Sequence, residues 1–153
     1  NSLVSRARYP GMRLLVAVDG SEQSDNALAH AERLAEATDG SLTPVHAVDP
    51  GVHEVADVDP TAGDRLVVED EGEAEDRARR ILREAAASVE RAPVTVELLH
   101  GDPREVVPEF AAAEGYDGIV VGHRGLSERG ERVLGSVAKS LVEHSPVPVT
   151  VAR

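Results

Sequence analysis

Apolar positions recur along this chain in two alternating rhythms. Residues 13–19 (RLLVAVD) form a near-continuous apolar run of strand length, the pattern of a strand buried on both faces of a parallel sheet. A helical period follows. Ala27, Leu28, Ala31, Leu34 and Ala35 return on one face, Ser21 or Ser24 can cap the start, and Gly40 is placed to end the helix. Residues 42–48 read as a second strand, although Pro44 removes one ladder donor from it. Residues 49–69 have no clear period, contain Pro50, Gly51, Pro60 and Gly63, and read as a loop of about 20 residues. Loops of that length are uncommon in compact domains and are often functional.

The helical period resumes over residues 70–92 through Ala74, Ala78, Ile81, Leu82, Ala85 and Val89, with acids in front and arginines behind, as the helix dipole prefers. Residues 94–99 alternate as a third strand. Asp102, Pro103 and Glu105 then supply the cap, first-turn proline and third-position acid of a helix start. Pro108 is expected to cost this helix a hydrogen bond or bend it, and Gly115 to end it. Residues 117–122 (DGIVVG) read as a fourth buried strand, 135–144 as a fourth helix and 147–152 as a fifth strand.

Strands and helices alternating at this spacing, joined by right-handed crossovers, predict an α/β fold: a doubly wound, five-stranded parallel sheet with helices on both faces. Residues 12–153 are expected to form this single domain and residues 1–11 a loose extension. In such folds ligands sit beyond the carboxyl ends of the strands, where strand order reverses. Candidate chemistry lies at two such ends. Gly122, His123, Arg124 and Gly125 follow the fourth strand, and nine residues later Gly135 and Ser136 open the fourth helix. Glycines admit phosphate close to backbone N–H groups, a helix start presents free N–H donors with partial positive charge, and Ser136 adds a hydroxyl. The alternative is that these glycines only turn the chain between strand and helix.

Charge narrows the range of partners. The formal net charge is -12, and Lys139 is the single lysine among sixteen basic residues. That field disfavours nucleic acid and anionic membranes. In so acidic a chain the three arginines at 124, 129 and 132 stand out: they are either plain solvated charge or, in part, phosphate ligands, since guanidinium forks match phosphate oxygens. Without cysteine there is neither a disulfide framework nor a thiolate metal site, and the histidines at 30, 46, 53, 100, 123 and 144 show no metal-ligand spacing. They read as surface or satisfied core residues, with His123 the exception because it lies inside the glycine-rich loop. No apolar run approaches the roughly 18 residues of a membrane span, and the first eleven residues lack the apolar core of a signal peptide, so a cytoplasmic location is expected.

The spacing GxxGx9G(S/T) matches the ATP-binding motif of universal stress proteins, and the chain resembles that family from Met12 onward. RLLVAVDGS at 13–21 resembles the family's opening strand and turn, VHAV at 45–48 its second strand, Gly101, Asp102 and Pro103 its third-helix entry, and VPVTV at 147–151 its closing strand. The resemblance implies a Rossmann-like fold of the adenine nucleotide alpha hydrolase kind. It implies that Asp19 and main-chain groups near Ala17 and Ala47 line an adenine and ribose pocket. Val121 and Gly122 border that pocket, while Gly125, Gly135, Ser136 and Val137 hold phosphates, with Arg124 beside them. Asp19 at a strand end suits a turn or helix cap equally well. The cofactor so implied is ATP, with Mg²⁺ able to accompany it on the triphosphate's own oxygens and water. The resemblance also implies a homodimer through the C-terminal strand.

The function expected from these residues is nucleotide-dependent regulation in a stress response, with at most slow hydrolysis, because no general base and no Walker-type segment can be picked out. The alternatives are a small adenine-nucleotide-using enzyme, or an interaction module on the same fold that binds no nucleotide. A phosphoryl-accepting receiver domain fits poorly, since the third strand ends in Leu99, His100 and Gly101 rather than aspartate and no lysine closes the fifth. Dispersed acid with so little lysine points to a halophilic archaeal source, where salt screens carboxylate repulsion. The melting temperature should therefore rise between low and molar KCl in thermal unfolding. A flat or falling trend would remove the high-salt argument.

Overall fold

The structure, a computed structural model, describes residues 11–49, 71–124 and 134–153. The expected extension at 1–11 lies outside the described residues except for Gly11, and the expected loop at 49–69 except for Asp49. The elements alternate in chain order: β1 (Arg13–Ala17), α1 (Glu22–Thr38), β2 (Ser41–Val48), α2 (Glu71–Ser88), β3 (Glu97–His100), α3 (Pro103–Ala113), β4 (Gly118–Gly122), α4 (Ser136–His144) and β5 (Val149–Ala152). The strands lie in the order β3-β2-β1-β4-β5, all parallel. This is the expected doubly wound sheet.

The near-continuous apolar runs have the cause proposed for them. Leu14, Val16 and Val18 pack against Ala27, Leu28, Ala31 and Ala35 of α1 and Ile81, Leu82 and Ala85 of α2. Leu15, Ile119 and Val121 face the other way, onto Val107 and Ala111 of α3 and Ala138 and Leu141 of α4. Successive side chains on a strand point to opposite faces, so a strand buried on both sides must be apolar at every position.

Pro44 is tolerated inside β2 because the ladder is broken where its N–H is missing. Leu42 donates to the Pro93 carbonyl while the Val45 carbonyl accepts from Val18, so even-numbered residues of β2 direct their amide groups toward β3 and odd ones toward β1. Pro44 therefore lacks its donor on the β3 side. There the pairing is an isolated bridge at Leu42 and Val94, and the regular ladder begins only at Val45 opposite Glu97. The third strand is accordingly shorter than its alternating pattern.

Other boundaries move for local reasons. The left-handed residue that ends α1 is Asp39, with φ 57°, not Gly40. Gly40 is needed instead for a close approach, since a Cβ there would lie 2.0 Å from the Met12 carbonyl oxygen. The second long helix stops at Ser88 rather than continuing to Ala92, because the Glu32 carboxylate takes the amides of Glu90 and Arg91, both at 2.8 Å. Pro108 sits in the interior of α3, which stays helical from Pro103 through Ala113.

The amino-terminal edge of the sheet is tied by a half-buried polar chain. The Arg13 guanidinium donates to the carbonyls of Glu114 at 2.6 Å and Gly115 at 3.3 Å and lies 4.5 Å over the Tyr116 ring. Tyr116 donates to the Thr43 hydroxyl at 2.9 Å, which meets that of Thr95 at 3.1 Å. Burial holds the Tyr116 phenol above its ordinary range, so it serves as a neutral donor.

Candidate functional site

At the opposite, carboxyl edge β1 and β4 are neighbours, but the helices that follow them leave for opposite faces of the sheet. Between them opens a cleft with about 700 Å³ of free space, its open mouth included. Ala17, Asp19, Ala47, Val121, Gly122, Arg124, Gly135, Ser136 and Val137 all line it. The other candidate, Gly125, lies outside the described residues, as do Arg129 and Arg132.

Sequence reasoning passed over part of the lining. Val18, Ser24, Val45, His46, Pro103, Val107 and Ala138 also face the cleft. Pro103 and Val107 arrive on α3, which packs beneath β2 and β4, and no local spacing announces that. His46 is buried, 8% exposed, and its Nδ1 lies 2.6 Å from the Val18 carbonyl oxygen. His123 acts through its backbone: its N–H donates to Ala152 of β5 and its carbonyl accepts from Gly135, both at 2.8 Å. The start of α4 is thereby hung from the end of the sheet.

Asp19 serves the turn that leads into α1. Its Oδ1 accepts the Ser21 amide at 2.9 Å, and Ser21 in turn caps the helix by accepting the Ser24 amide at 3.1 Å. Ser21 is therefore the cap, not Ser24. A carboxylate accepts several hydrogen bonds, so this duty is compatible with a place in the cleft.

Charge differs sharply between the helix starts. The first turn of α1 carries Glu22 and Asp25, and partial burial, then the carboxylates of Asp19, Glu22 and Glu84, push the Asp25 carboxyl above its ordinary range. The first turn of α3 carries Glu105 and the Asp102 cap; the Arg104 side chain on Asp102 lowers that carboxyl. The first turn of α4 has no acid and no side-chain cap, since Gly135 occupies the cap position. The opening amides of a helix have no intrahelical acceptor and sit at the positive end of its dipole. Of the three caps, that of α4 alone has no carboxylate at its cap position or in its first turn, and its opening residues line the cleft.

The two motif glycines differ in their reason for being glycine. Gly135 has φ -60° and ψ 154°, extended backbone open to any residue, so nothing in its conformation demands glycine. Gly122 is required by packing. A Cβ there would lie 2.7 Å from the Gln23 carbonyl oxygen in the first turn of α1.

Comparison with known proteins agrees with this fold. The model of the "Universal stress protein family" matches residues 12–153. A "Universal stress protein in QAH/OAS sulfhydrylase 3'region" from Thermus aquaticus is 33% identical over 140 residues, covering 92% of this chain and 97% of that protein. A solved universal stress protein from Archaeoglobus fulgidus superposes with a TM-score of 0.72 at 25% identity, over 93% of this chain and 98% of that one. A universal stress protein solved in complex with cAMP gives a TM-score of 0.64 at 23% identity, over 94% of this chain and 97% of its own.

The packing reason for Gly122 can be separated from any ligand. Gly122→Ala should destabilise the ligand-free protein by about 1–3 kcal/mol, the usual cost of overfilling a packed site, read from the midpoint of urea unfolding. An unchanged midpoint would show that Gln23 yields freely.

Proposed function

The chain belongs to the universal stress protein family, and from that premise we propose that it is an ATP-binding regulatory module of the cytoplasmic stress response, with at most slow hydrolysis. One observation carries the reading: the acid-free, glycine-capped start of α4 faces Asp19 across a single cleft at the point where strand order reverses. In this arrangement the Asp19 carboxylate accepts from ribose hydroxyls, and main-chain groups at Ala17 and Ala47 meet the adenine. Val121 and Gly122 border the base. Gly125, Gly135, Ser136 and Val137 hold the phosphates through backbone amides and a hydroxyl, with the Arg124 guanidinium alongside. The cAMP bound by a protein of the same fold supports an adenine nucleotide as the class of ligand.

No group of three or more His, Asp or Glu placed to hold a metal occurs among the described residues. Mg²⁺ would accompany the triphosphate on its own oxygens and water. Isothermal titration with ATP tests the reading. Gly135→Val puts a branched side chain where backbone must approach phosphate, and is expected to abolish measurable ATP binding while leaving the melting temperature within a few degrees. Unaltered ATP affinity in that folded variant would sink the proposed site.

The same reading includes a homodimer. β5 is an edge strand, and its even-numbered residues are turned toward β4, where the Pro148 carbonyl accepts from Ile119 and that of Ala152 from His123. Val149 and Val151 consequently present their amides and carbonyls outward, an open edge that two copies can cover at once across a two-fold axis. Light scattering should report a dimer at micromolar concentration in molar KCl. Val151→Pro, which deletes an outward donor without touching the β4 ladder, should yield a folded monomer. A monomeric native protein refutes the pairing.

A further inference from the structure

The β1–β2 ladder ends abnormally, one residue short of where it should. The register runs from Arg13 opposite Ser41 to Ala17 opposite Val45, so the next pair is Val18 and His46. A parallel ladder continued through that pair has two bonds: the Val18 amide to the Val45 carbonyl, and the Ala47 amide back to the Val18 carbonyl. The first is present at 3.0 Å. The second is missing, and among the described residues the Ala47 amide has no other partner. The Val18 carbonyl is taken by the His46 ring, with Nδ1 at 2.6 Å. Because a carbonyl only accepts, Nδ1 must carry the proton and donate it.

We infer that His46 is the positioning residue of the cleft: its Nδ1–H replaces the Ala47 amide on the Val18 carbonyl, and so keeps that amide available to an acceptor nitrogen of the nucleotide base. The assignment rests on the nucleotide-binding reading above. Its physical logic is that an amide left to itself would complete the ladder, since β1 and β2 are in register up to the preceding pair. A buried side-chain donor on the competing acceptor prevents this. The ring is 8% exposed and belongs to the same strand as the amide it frees, so the two cannot drift apart. Ala47 itself is only partly buried and lines the cleft, where a ligand reaches it.

Two substitutions separate this role from simple packing. His46→Asn keeps an N–H on the atom bonded to Cγ, where Nδ1 stands, whereas His46→Leu fills the space without a donor. Amide hydrogen exchange of Ala47, followed by NMR on the ligand-free proteins, is the first readout. In His46→Leu the freed Val18 carbonyl should capture the Ala47 amide and slow its exchange by about tenfold or more, while His46→Asn should exchange like the native protein. The second readout is ATP affinity by calorimetry. It should fall about tenfold in His46→Leu, the order expected for one lost hydrogen bond, and stay within about threefold in His46→Asn. If leucine unfolds the chain, His46→Gln replaces it, because its amide nitrogen lies one carbon further from Cα and misses the Val18 carbonyl. Unchanged Ala47 exchange in the donorless variant overturns the assignment whatever ATP does. Failure of the native protein to bind ATP sinks the nucleotide reading instead, and with it the purpose given to the freed amide.

Discussion

Everything at the carboxyl edge of this protein follows from one topological constraint: a crossover between parallel strands is right-handed. The chain moves outward from β1 to β2 to β3 and in the opposite sense through β4 and β5. α1 and α2 are therefore confined to one face, and α3 and α4 to the other. Between β1 and β4 two adjacent strands send their helices to opposite sides while their connections also run in opposite directions along the sheet, and the sheet edge there stays uncovered. The cleft is what this divergence leaves open.

Within that opening, the groups that matter are mostly backbone. The start of α4 presents its opening backbone, the end of β2 offers the Ala47 amide, and apart from Asp19, His46 and Arg124 the side chains around them are small or apolar. Such a site depends on the strands and helix start being held still, since a backbone donor has no rotamer with which to adjust. His123 does this for α4 by bonding β5 on one side and Gly135 on the other, and Gly122 does it for α1 by letting the Gln23 backbone come close. At the far edge the chain from Arg13 through Tyr116 to Thr43 and Thr95 ties β1, β2 and the turn before β4 together. Rigidity at both ends of the strands supports a backbone-lined cleft.

The acidic character of the chain is distributed with respect to this site. Carboxylates crowd the first turn of α1, where Asp25 is pushed toward the neutral form by burial and by its neighbours, yet the first turn of α4 carries none. Of the three described caps, that of α4 is the one at which an anion meets no first-turn carboxylate. Net charge alone therefore says little about the ligand, while the local placement of charge says a good deal.

The sequence by itself determined the alternation of elements, the parallel sheet and the stretch in which the cleft would lie. Apolar runs such as 117–122 and the periodic faces of α1 and α2 are set by local period, and local period is written in adjacent residues. The choice of Asp39 over Gly40 as the left-handed residue, the late start of β3 opposite Pro44, and the packing need behind Gly122 were decided elsewhere in the chain. So was the role of His46, which in sequence is one histidine among six and gains its meaning only from the Val18 carbonyl 28 positions away. Steric approach and hydrogen-bond competition depend on distances between segments. Those distances exist only once the sheet has closed.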